Sequence, residues 1–148
     1  MNRERLEADL VRDEGQRLKV YMDTTGNLTV GIGHKVLPAD HLHAGQVIDT
    51  ARMYTLFRTD LDKAIQACAT GLQGWDSMPE TAHEVLVNMV FNMGLRGVQQ
   101  FVNTLYEMRQ GHWRHAAEHM RHSKWYTQVG QRAERLCQRL EALEPLEG

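Results

Sequence analysis

The stretch Arg17–His34, RLKVYMDTTGNLTVGIGH, changes the period of the sequence from helical to extended. Apolar and polar residues alternate in RLKVYM and again in LTVGIGH, and alternation at every second residue is typical of a half-buried β-strand. Thr24–Asn27 separates the two runs and contains Gly26, which allows a positive φ in a turn. The stretch therefore predicts a β-hairpin. Gly31 and Gly33, on one face of its second strand, predict a close approach to the backbone.

Helical patterns lie on both sides of this hairpin. A first helix is predicted from about Asn2 to Asp13, because apolar residues recur on one face and Gly15 stands just beyond its end. A long helix is predicted over about 50–70, after a polar loop. Later helices are predicted over four ranges: Thr81–Met93, Val98–Gln110, His112–His122 and Gln131–Leu143. The helix from Thr81 is apolar nearly all round, which predicts a central position.

Together these elements predict an α+β fold that is mostly helical. A small N-terminal β-hairpin lobe, at about 14–48, is joined by the long helix at about 50–70 to a C-terminal helical lobe at about 75–148. The 148 residues fit a single domain, with no internal repeat and no low-complexity linker. A cleft between two such lobes is a natural site for a substrate.

Charge and apolar patterning argue against several classes of partner and location. The net charge of −2 gives no global attraction to nucleic acid or to an anionic membrane. The most apolar stretch, Val85–Leu95, contains Asn88 and Asn92 and is too short and too polar to cross a bilayer. The first residues carry charges at nearly every second position, which excludes the apolar segment of a signal peptide. We therefore expect the protein to stay in the cytoplasm until something else releases it.

The two cysteines, Cys68 and Cys137, lie inside helical patterns. They are predicted to be buried, reduced thiols that pack as small apolar groups. A disulfide would need an oxidising compartment, and the missing signal peptide argues against one.

Glu14, Asp23 and Thr29 are the candidate catalytic residues. Glu14 stands where the first helix ends, although the partial negative charge of a helix C-terminus disfavours a carboxylate. Such broken local rules often mark functional positions. Two carboxylates in unlike environments can divide the roles of glycoside hydrolysis, and a threonine hydroxyl can hold the attacking water. With 19 acidic residues, however, some short Glu/Asp spacing is inevitable, so spacing alone does not establish the site.

Two strand registers are open for this hairpin. A four-residue loop would pair Asp23 with Leu28 and place Thr29 on the opposite face of the sheet. A bulge at Gly26 would shift Thr29 so that it faces Asp23.

Five segments carry a resemblance that covers essentially the whole chain in one order. The run DEGQRLKVYMDTTGNLTVGIGH, at 13–34, resembles the signature of T-even-type phage lysozymes, in which a glutamate after the first helix precedes an aspartate, a threonine and a Gly-x-Gly-His strand. Glu14, Asp23 and Thr29 match the spacing of those three residues. The other similar segments are NMVFNMG (88–94), GVQQFVNTL (97–105), SKWY (123–126) and GQRAERL (130–136).

The resemblance implies a muramidase of bacterial peptidoglycan. It implies hydrolysis of the β-1,4 bond between N-acetylmuramic acid and N-acetylglucosamine, with inversion, and without cofactor or metal. It also implies a monomer that lyses the host cell and reaches the wall from the cytoplasm through a separate pore-forming protein. Relatives of this type are often clearly basic, and this chain departs from them in being slightly acidic.

The same resemblance implies roles for four residues of the catalytic centre. Glu14 is the general acid, and Asp23 and Thr29 activate the water. Arg132 matches an arginine that pairs with the catalytic glutamate. Such a partner would hold the glutamate in place while opposing the raised pKa that suits an acid.

Other matching positions imply structural and substrate-binding roles. His34 and Asp60 match a structural salt-bridge pair, so His34 is expected to be a stability element rather than a ligand. Four positions are implied to line the saccharide cleft: Phe91, Thr104, Lys35 and His119. Lys35 and His119 differ in residue type from the expected pattern.

Two alternative functions fit parts of the sequence. A lytic transglycosylase would use the same acid and would release an anhydro sugar without the water site of Asp23 and Thr29. A non-catalytic wall-binding or regulatory helical module would not need Glu14 at all.

Histidines and tryptophans offer further candidate sites. Four histidines fall on one helix face, and the pattern favours a solvated polar face over a metal site, since zinc ligands usually come from more than one element. They are His112, His115, His119 and His122. The three tryptophans, Trp75, Trp113 and Trp125, are predicted to pack in the core or between lobes rather than to stack on sugars.

Overall fold

Seven α-helices and one antiparallel sheet make up residues 1–144, the part of the chain that the computed structural model describes. The helices are α1 Arg3–Glu14, α2 Thr50–Gly71, α3 Glu80–Gln99, α4 Val102–Arg109, α5 Trp113–Arg121, α6 Lys124–Val129 and α7 Gln131–Glu141. The strands are β1 Arg17–Met22, β2 Leu28–Gly31 and β3 His34–Lys35. The predicted α+β, mostly helical fold is confirmed. Residues 145–148, the end of the predicted helical lobe, lie outside the described residues.

The chain divides into two compact units. One unit, Arg3–Lys63, contains α1, the sheet and the first part of α2. The other contains Met1–Asn2 and the chain from Ala64 onward. The division falls inside the long helix that the sequence predicted as the connection between lobes, and α1 belongs to the same unit as the sheet.

The sheet has three strands where the sequence predicted two, so the hairpin prediction is corrected here. β2 ends at Gly31, a turn follows over Ile32 and Gly33, and β3 pairs back on β2. Gly31 and Gly33 have φ of +67° and +64°, in the left-handed region that favours glycine. Alternation of apolar residues continues through this turn, which is why the pattern alone read as a single strand.

The register of β1 and β2 excludes the first alternative left open by the sequence, and it agrees with the second in that Thr29 lies on the same face as Asp23. Tyr21 pairs with Thr29 and Met22 with Leu28, so Asp23 does not pair with Leu28. The Asp23 N–H donates to the Asn27 carbonyl at 2.9 Å, which continues the antiparallel pairing by one step into the loop.

A single apolar stripe on each helix builds the core of the sheet-containing unit. On α2 the buried residues recur at helical spacing, which places them on one face of the helix. The fully or almost fully buried members are Leu6, Leu10, Val20, Val30, Ile32, Met53, Phe57 and Leu61.

Helix α3 is buried all round at its centre, and the prediction of a central helix is confirmed. Every residue from Glu84 to Val90 is buried. The predicted helix does end at Gly94, which is non-helical with φ 81° and ψ 162°, but a second helical stretch follows this kink directly and continues to Gln99. The sequence reading also missed the short helix α6, which Ser123 caps by accepting a hydrogen bond from the Tyr126 N–H.

The predicted packing of the cysteines and of two tryptophans is confirmed. Cys68 and Cys137 are both buried and unpaired as free thiols. Trp75 and Trp125 are 8% exposed, and Trp113 is half-buried.

The histidine face of α5 and its flanks is solvated. All four histidines of the stripe are exposed, and His112 Nδ1 lies 2.7 Å from the Glu107 carboxylate. Within residues 1–144, no cluster of three or more His, Cys, Asp or Glu side chains is arranged to hold a metal ion. In the same part of the chain, none of the helices combines the length and the apolar character needed to span a bilayer.

Candidate functional site

Glu14 is the last residue of helix α1 and belongs to the sheet-containing unit. The helix closes with a hydrogen bond from the Gly15 N–H to the Val11 carbonyl at 2.9 Å, and Gly15 takes a φ of +74°. This left-handed turn is a common way to end a helix. The half-buried Glu14 side chain is therefore held where the chain leaves α1 and enters β1.

The Glu14 carboxylate lies against the backbone of Gly33. A methyl group built on Gly33 would stand 2.6 Å from Glu14 Oε1 and 2.8 Å from its Cδ. Contacts this short do not occur, so only glycine leaves room for the carboxylate at this place. The predicted close approach to the glycine pair thus has a defined partner at Gly33, while a Cβ built on Gly31 would stand 3.1 Å from Met53 Cγ.

Asp23 follows β1 and has one carboxylate oxygen held by three donors. Oδ1 accepts the Thr25 N–H at 2.9 Å, the Thr25 hydroxyl at 2.8 Å and the Asn27 N–H at 2.8 Å. These bonds, the one from the Asn27 backbone above all, hold the pKa of Asp23 below its ordinary value of 3.8. Asp23 is therefore an ionised, partly exposed carboxylate with a fixed orientation.

Thr29 lies on the same face of the sheet as Asp23. Paired residues of antiparallel strands point to one side, so Thr29 shares a face with Tyr21, and Asp23 follows Tyr21 by two residues. Thr29 is 6% exposed, and its hydroxyl donates to the Asn27 carbonyl at 3.1 Å. The structure thus brings two of the three predicted catalytic residues together through a single turn.

Lys35 extends this face by one strand. It pairs with Thr29 in the β2–β3 register and is exposed. Its positive charge adds to the lowering of the Asp23 pKa. On the other side of Thr29, the Arg17 guanidinium stacks over the Tyr21 ring at 3.9 Å. A row of polar and cationic side chains therefore crosses the sheet at the candidate site.

His34 lies on the buried face of β3, between two carboxylates. Its Nδ1 is 2.7 Å from Asp60 and its Nε2 is 2.7 Å from Asp40. Burial of the ring lowers the pKa of His34, but the two carboxylates outweigh burial, and the pKa is raised above its ordinary value of 6.5. Both ring nitrogens then donate, as in an imidazolium. The structure brings His34 and Asp60 together, as the resemblance implied.

Asp40 is a member of this cluster that the sequence reading missed. It also accepts the Leu37 N–H at 2.7 Å and so caps the turn at Pro38. Burial raises the pKa of Asp40, but the hydrogen bonds from His34 and Leu37 outweigh burial and lower it below 3.8. The sequence Leu37-Pro38-Ala39-Asp40 could have indicated this role, because an acidic residue shortly after a proline often caps a short turn.

Replacing Asp60 by Asn is expected to destabilise the protein by about 1–3 kcal/mol near pH 5.5, because a buried imidazolium loses one of its two carboxylates. Because the pKa of His34 is raised in the folded state, its full contribution to the free energy of unfolding is present below pH 6.5. That contribution is lost as the pH rises through the pKa of His34 in the folded protein. Because the pKa of Asp40 is lowered in the folded state, its full contribution to the free energy of unfolding is present above pH 3.8. The largest difference between parent and variant is therefore expected between these two pH values.

Urea unfolding at several pH values measures this difference. Asp62→Asn is the matched control, since Asp62 is 66% exposed and pairs with Arg3 at the surface. The control is expected to cost about 0–1 kcal/mol. Equal destabilisation by both variants across the pH range would contradict a buried, charged cluster.

The other predicted site residues lie in the helical unit. Arg132 is 8% exposed, and its Nε donates to the Asn88 side chain at 2.9 Å. Phe91 is half-buried on α3. The predicted pairing of Arg132 with Glu14 stays a prediction.

Thr104 and His119 meet at one cavity of this unit. The cavity has a volume of about 420 Å³. Its wall includes Trp125, whose indole N–H donates to Asn92 at 3.0 Å and whose ring meets the edge of Phe101. The lining residues are Gly97, Gln100, Phe101, Val102, Asn103, Thr104, His119, His122, Ser123, Lys124 and Trp125.

Comparison with known proteins connects both units to one family. A family model described as phage lysozyme matches residues 11–142. Probable T4-type lysozyme 2 of Dictyostelium discoideum is 30% identical over 146 residues, which cover 84% of this chain and 86% of that protein. Pre-baseplate central spike protein Gp5 of Enterobacteria phage T4 is 33% identical over 86% of this chain. Peptidoglycan hydrolase gp36 of Pseudomonas phage phiKMV is 30% identical over 89% of it.

The chain spans most of the first of these relatives but only 26% of the spike protein and 14% of the phiKMV hydrolase. The similarity to the two long proteins is therefore confined to one part of each. The family model, in contrast, covers nearly all of the residues that form the sheet, the candidate site and the helical unit. The chain belongs to the phage lysozyme family.

Proposed function

We propose that this chain hydrolyses the β-1,4 bond between N-acetylmuramic acid and N-acetylglucosamine in bacterial peptidoglycan. The observation that carries the proposal is the arrangement of Asp23 and Thr29 at one turn, in the same compact unit as the Glu14 carboxylate. Peptidoglycan as the substrate is supported by the family and by the name of the phiKMV relative.

Glu14 is assigned the role of general acid. Cleavage of a glycosidic bond needs a carboxylic acid that protonates the leaving oxygen. Glu14 stands at the end of a helix, half-buried and close against the backbone of Gly33, so its side chain has a defined position. Such positioning is what a proton transfer in the transition state requires.

Asp23 and Thr29 are assigned the role of holding and activating the attacking water. Asp23 is ionised and can accept a proton from water, which is the task of the base in an inverting glycosidase. The buried Thr29 hydroxyl is a second polar group on the same face of the sheet. A water between them would be held at two points while it attacks the anomeric carbon.

Substrate binding is proposed for the four positions that the family pattern indicates. Lys35 offers a cation beside Asp23, and Thr104 and His119 offer polar groups at the cavity of the helical unit. Phe91 offers an aromatic surface for a sugar ring. The activity needs no metal or cofactor in this scheme.

Mass spectrometry of peptidoglycan digests tests the reaction. Hydrolysis is expected to yield fragments with a reducing N-acetylmuramic acid end, and digestion in H₂¹⁸O is expected to add two mass units to them. A lytic transglycosylase would instead yield 1,6-anhydro ends without label, and that product would overturn the proposal. Polarimetry or NMR of the first-formed anomer then reports inversion or retention.

A further inference from the structure

We propose that Thr25 and Asn27 are positioning residues that leave Asp23 and Thr29 able to act only as acceptors toward the attacking water. The inference rests on the proposed hydrolysis and adds residues to its water site. The two residues belong to the turn that joins β1 to β2, in the sequence DTTGN at 23–27.

Thr25 is bound on three sides. Its N–H and its hydroxyl both donate to Asp23 Oδ1, at 2.9 and 2.8 Å. Its hydroxyl oxygen accepts a hydrogen bond from the Asn27 side-chain amide at 2.9 Å. A hydroxyl that accepts from an amide directs its own hydrogen away from it, here onto the carboxylate. The orientation of Thr25 is therefore fixed within the turn.

Asn27 connects the carboxylate to the catalytic threonine. Its N–H donates to Asp23 Oδ1 at 2.8 Å, and its carbonyl accepts the Asp23 N–H at 2.9 Å and the Thr29 hydroxyl at 3.1 Å. One residue thus sets the position of both groups. A shift of the turn would move Asp23 and Thr29 together rather than separately.

These bonds decide which atoms face the water. Within residues 1–144, the hydrogen bonds to the Asp23 carboxylate all go to Oδ1, so Oδ2 is left to accept from solvent. The only hydrogen of the Thr29 hydroxyl goes to Asn27, so its oxygen can also only accept. A water that donates to both keeps its lone pairs for the anomeric carbon.

The reaction then balances without another reactant. The water oxygen forms a bond to the anomeric carbon while the glycosidic C–O bond breaks. Glu14 gives its proton to the leaving oxygen, and Asp23 Oδ2 takes one from the water. Exchange with solvent restores both carboxyl groups.

Other charges near the turn come from the strands and from α1. β1 carries Arg17 and Lys19, β3 carries His34 and Lys35, β2 carries no charged residue, and α1 ends at Glu14. Of these, Lys35 contributes to the lowered pKa of Asp23, after the hydrogen bonds from Asn27 and Thr25. Loss of the Thr25 hydroxyl should therefore raise the pKa of Asp23 while the neighbouring charges stay in place.

The test compares Thr25→Val with Thr25→Ser, and uses Thr24→Val as the matched control. Thr24 is exposed in the same turn and makes none of these hydrogen bonds. Thr25→Val is expected to lower kcat/KM on peptidoglycan about three- to tenfold and to move the acid limb of the pH profile to higher pH. Thr25→Ser is expected to restore both the rate and the limb, and Thr24→Val to leave both as in the parent.

Three outcomes would overturn one or other of these claims. If Thr25→Val has the pH profile of Thr24→Val while Asp23→Asn abolishes hydrolysis, the positioning role is wrong and the proposed hydrolysis survives. If Asp23→Asn keeps the parent rate, the water site itself is wrong. Equal loss in Thr25→Val and Thr25→Ser, with an unmoved acid limb, would indicate a merely structural turn and would also overturn the inference.

Discussion

Replacing Glu14 by Gln is expected to lower kcat/KM on peptidoglycan by about a thousandfold or more, because an amide has no acidic proton for the leaving oxygen. The substitution keeps the length and shape of the side chain, so its contact with Gly33 is preserved. The free energy of unfolding is expected to change by less than about 1 kcal/mol. The loss should therefore fall on the chemical step and not on the folded fraction.

A turbidity assay on bacteria with a permeabilised outer membrane, together with urea unfolding, measures both quantities. Glu4→Gln is the matched control, because Glu4 is an exposed residue of the same helix α1. It is expected to retain the parent rate. If Glu14→Gln clears the suspension as fast as the parent, Glu14 is not the acid, and a binding role independent of this carboxylate becomes the better account.

Replacing Gly33 by Ala is expected to lower kcat/KM about a hundredfold although Gly33 has no reactive group. A Cβ would stand 2.6 Å from Glu14 Oε1, so the carboxylate must move away. Displacement of a catalytic group by about 1 Å can cost about a hundredfold in rate. The φ of +64° adds a strain of about 1–2 kcal/mol to the folded state.

Gly45→Ala separates displacement from strain. Gly45 has a φ of +84° in the same unit, and a Cβ there would meet only Lys19 Cε, at 4.0 Å. Both variants should lose similar stability in urea unfolding, and only Gly33→Ala should lose activity. Equal activity losses would mean that backbone strain, rather than the position of Glu14, explains the effect.

The position of the sheet was predictable from the alternation of apolar and polar residues. The number of its strands was not. Alternation of apolar residues reports which side of an extended chain is buried, and it continues through Ile32 whether or not the chain turns there. Only the positive φ of both Gly31 and Gly33 makes the turn. Glycine in the sequence permits such a φ without requiring it, so the third strand needed the structure.

The identity of the candidate catalytic residues was predictable mainly from resemblance, and their geometry was not. The register of Tyr21 with Thr29 depends on a five-residue loop from Asp23 to Asn27, whose hydrogen bonds come from Thr25 and Asn27 rather than from a periodic pattern. An aspartate opening a Gly- and Asn-containing turn was a usable signal that such bonds would form.

The His34 cluster shows the same limit. The partner 26 residues along the chain, Asp60, came from resemblance. Asp40 lies only six residues away, as the last residue of the 3₁₀ turn that begins at Pro38, and the sequence signal for this turn does not tell which side chain Asp40 meets. The structure shows the cluster directly as charged side chains buried together, but these residues follow no periodic pattern in the sequence.

The two buried cysteines allow the opening of the helical unit to be measured by thiol labelling. Burial raises the pKa of Cys68 to about 12 and that of Cys137 to about 11, so neither thiol forms the reactive thiolate at neutral pH in the folded state. Both belong to the unit that begins at Ala64. A maleimide or disulfide reagent should therefore label the protein only when this unit opens, so the rate of labelling measures that opening.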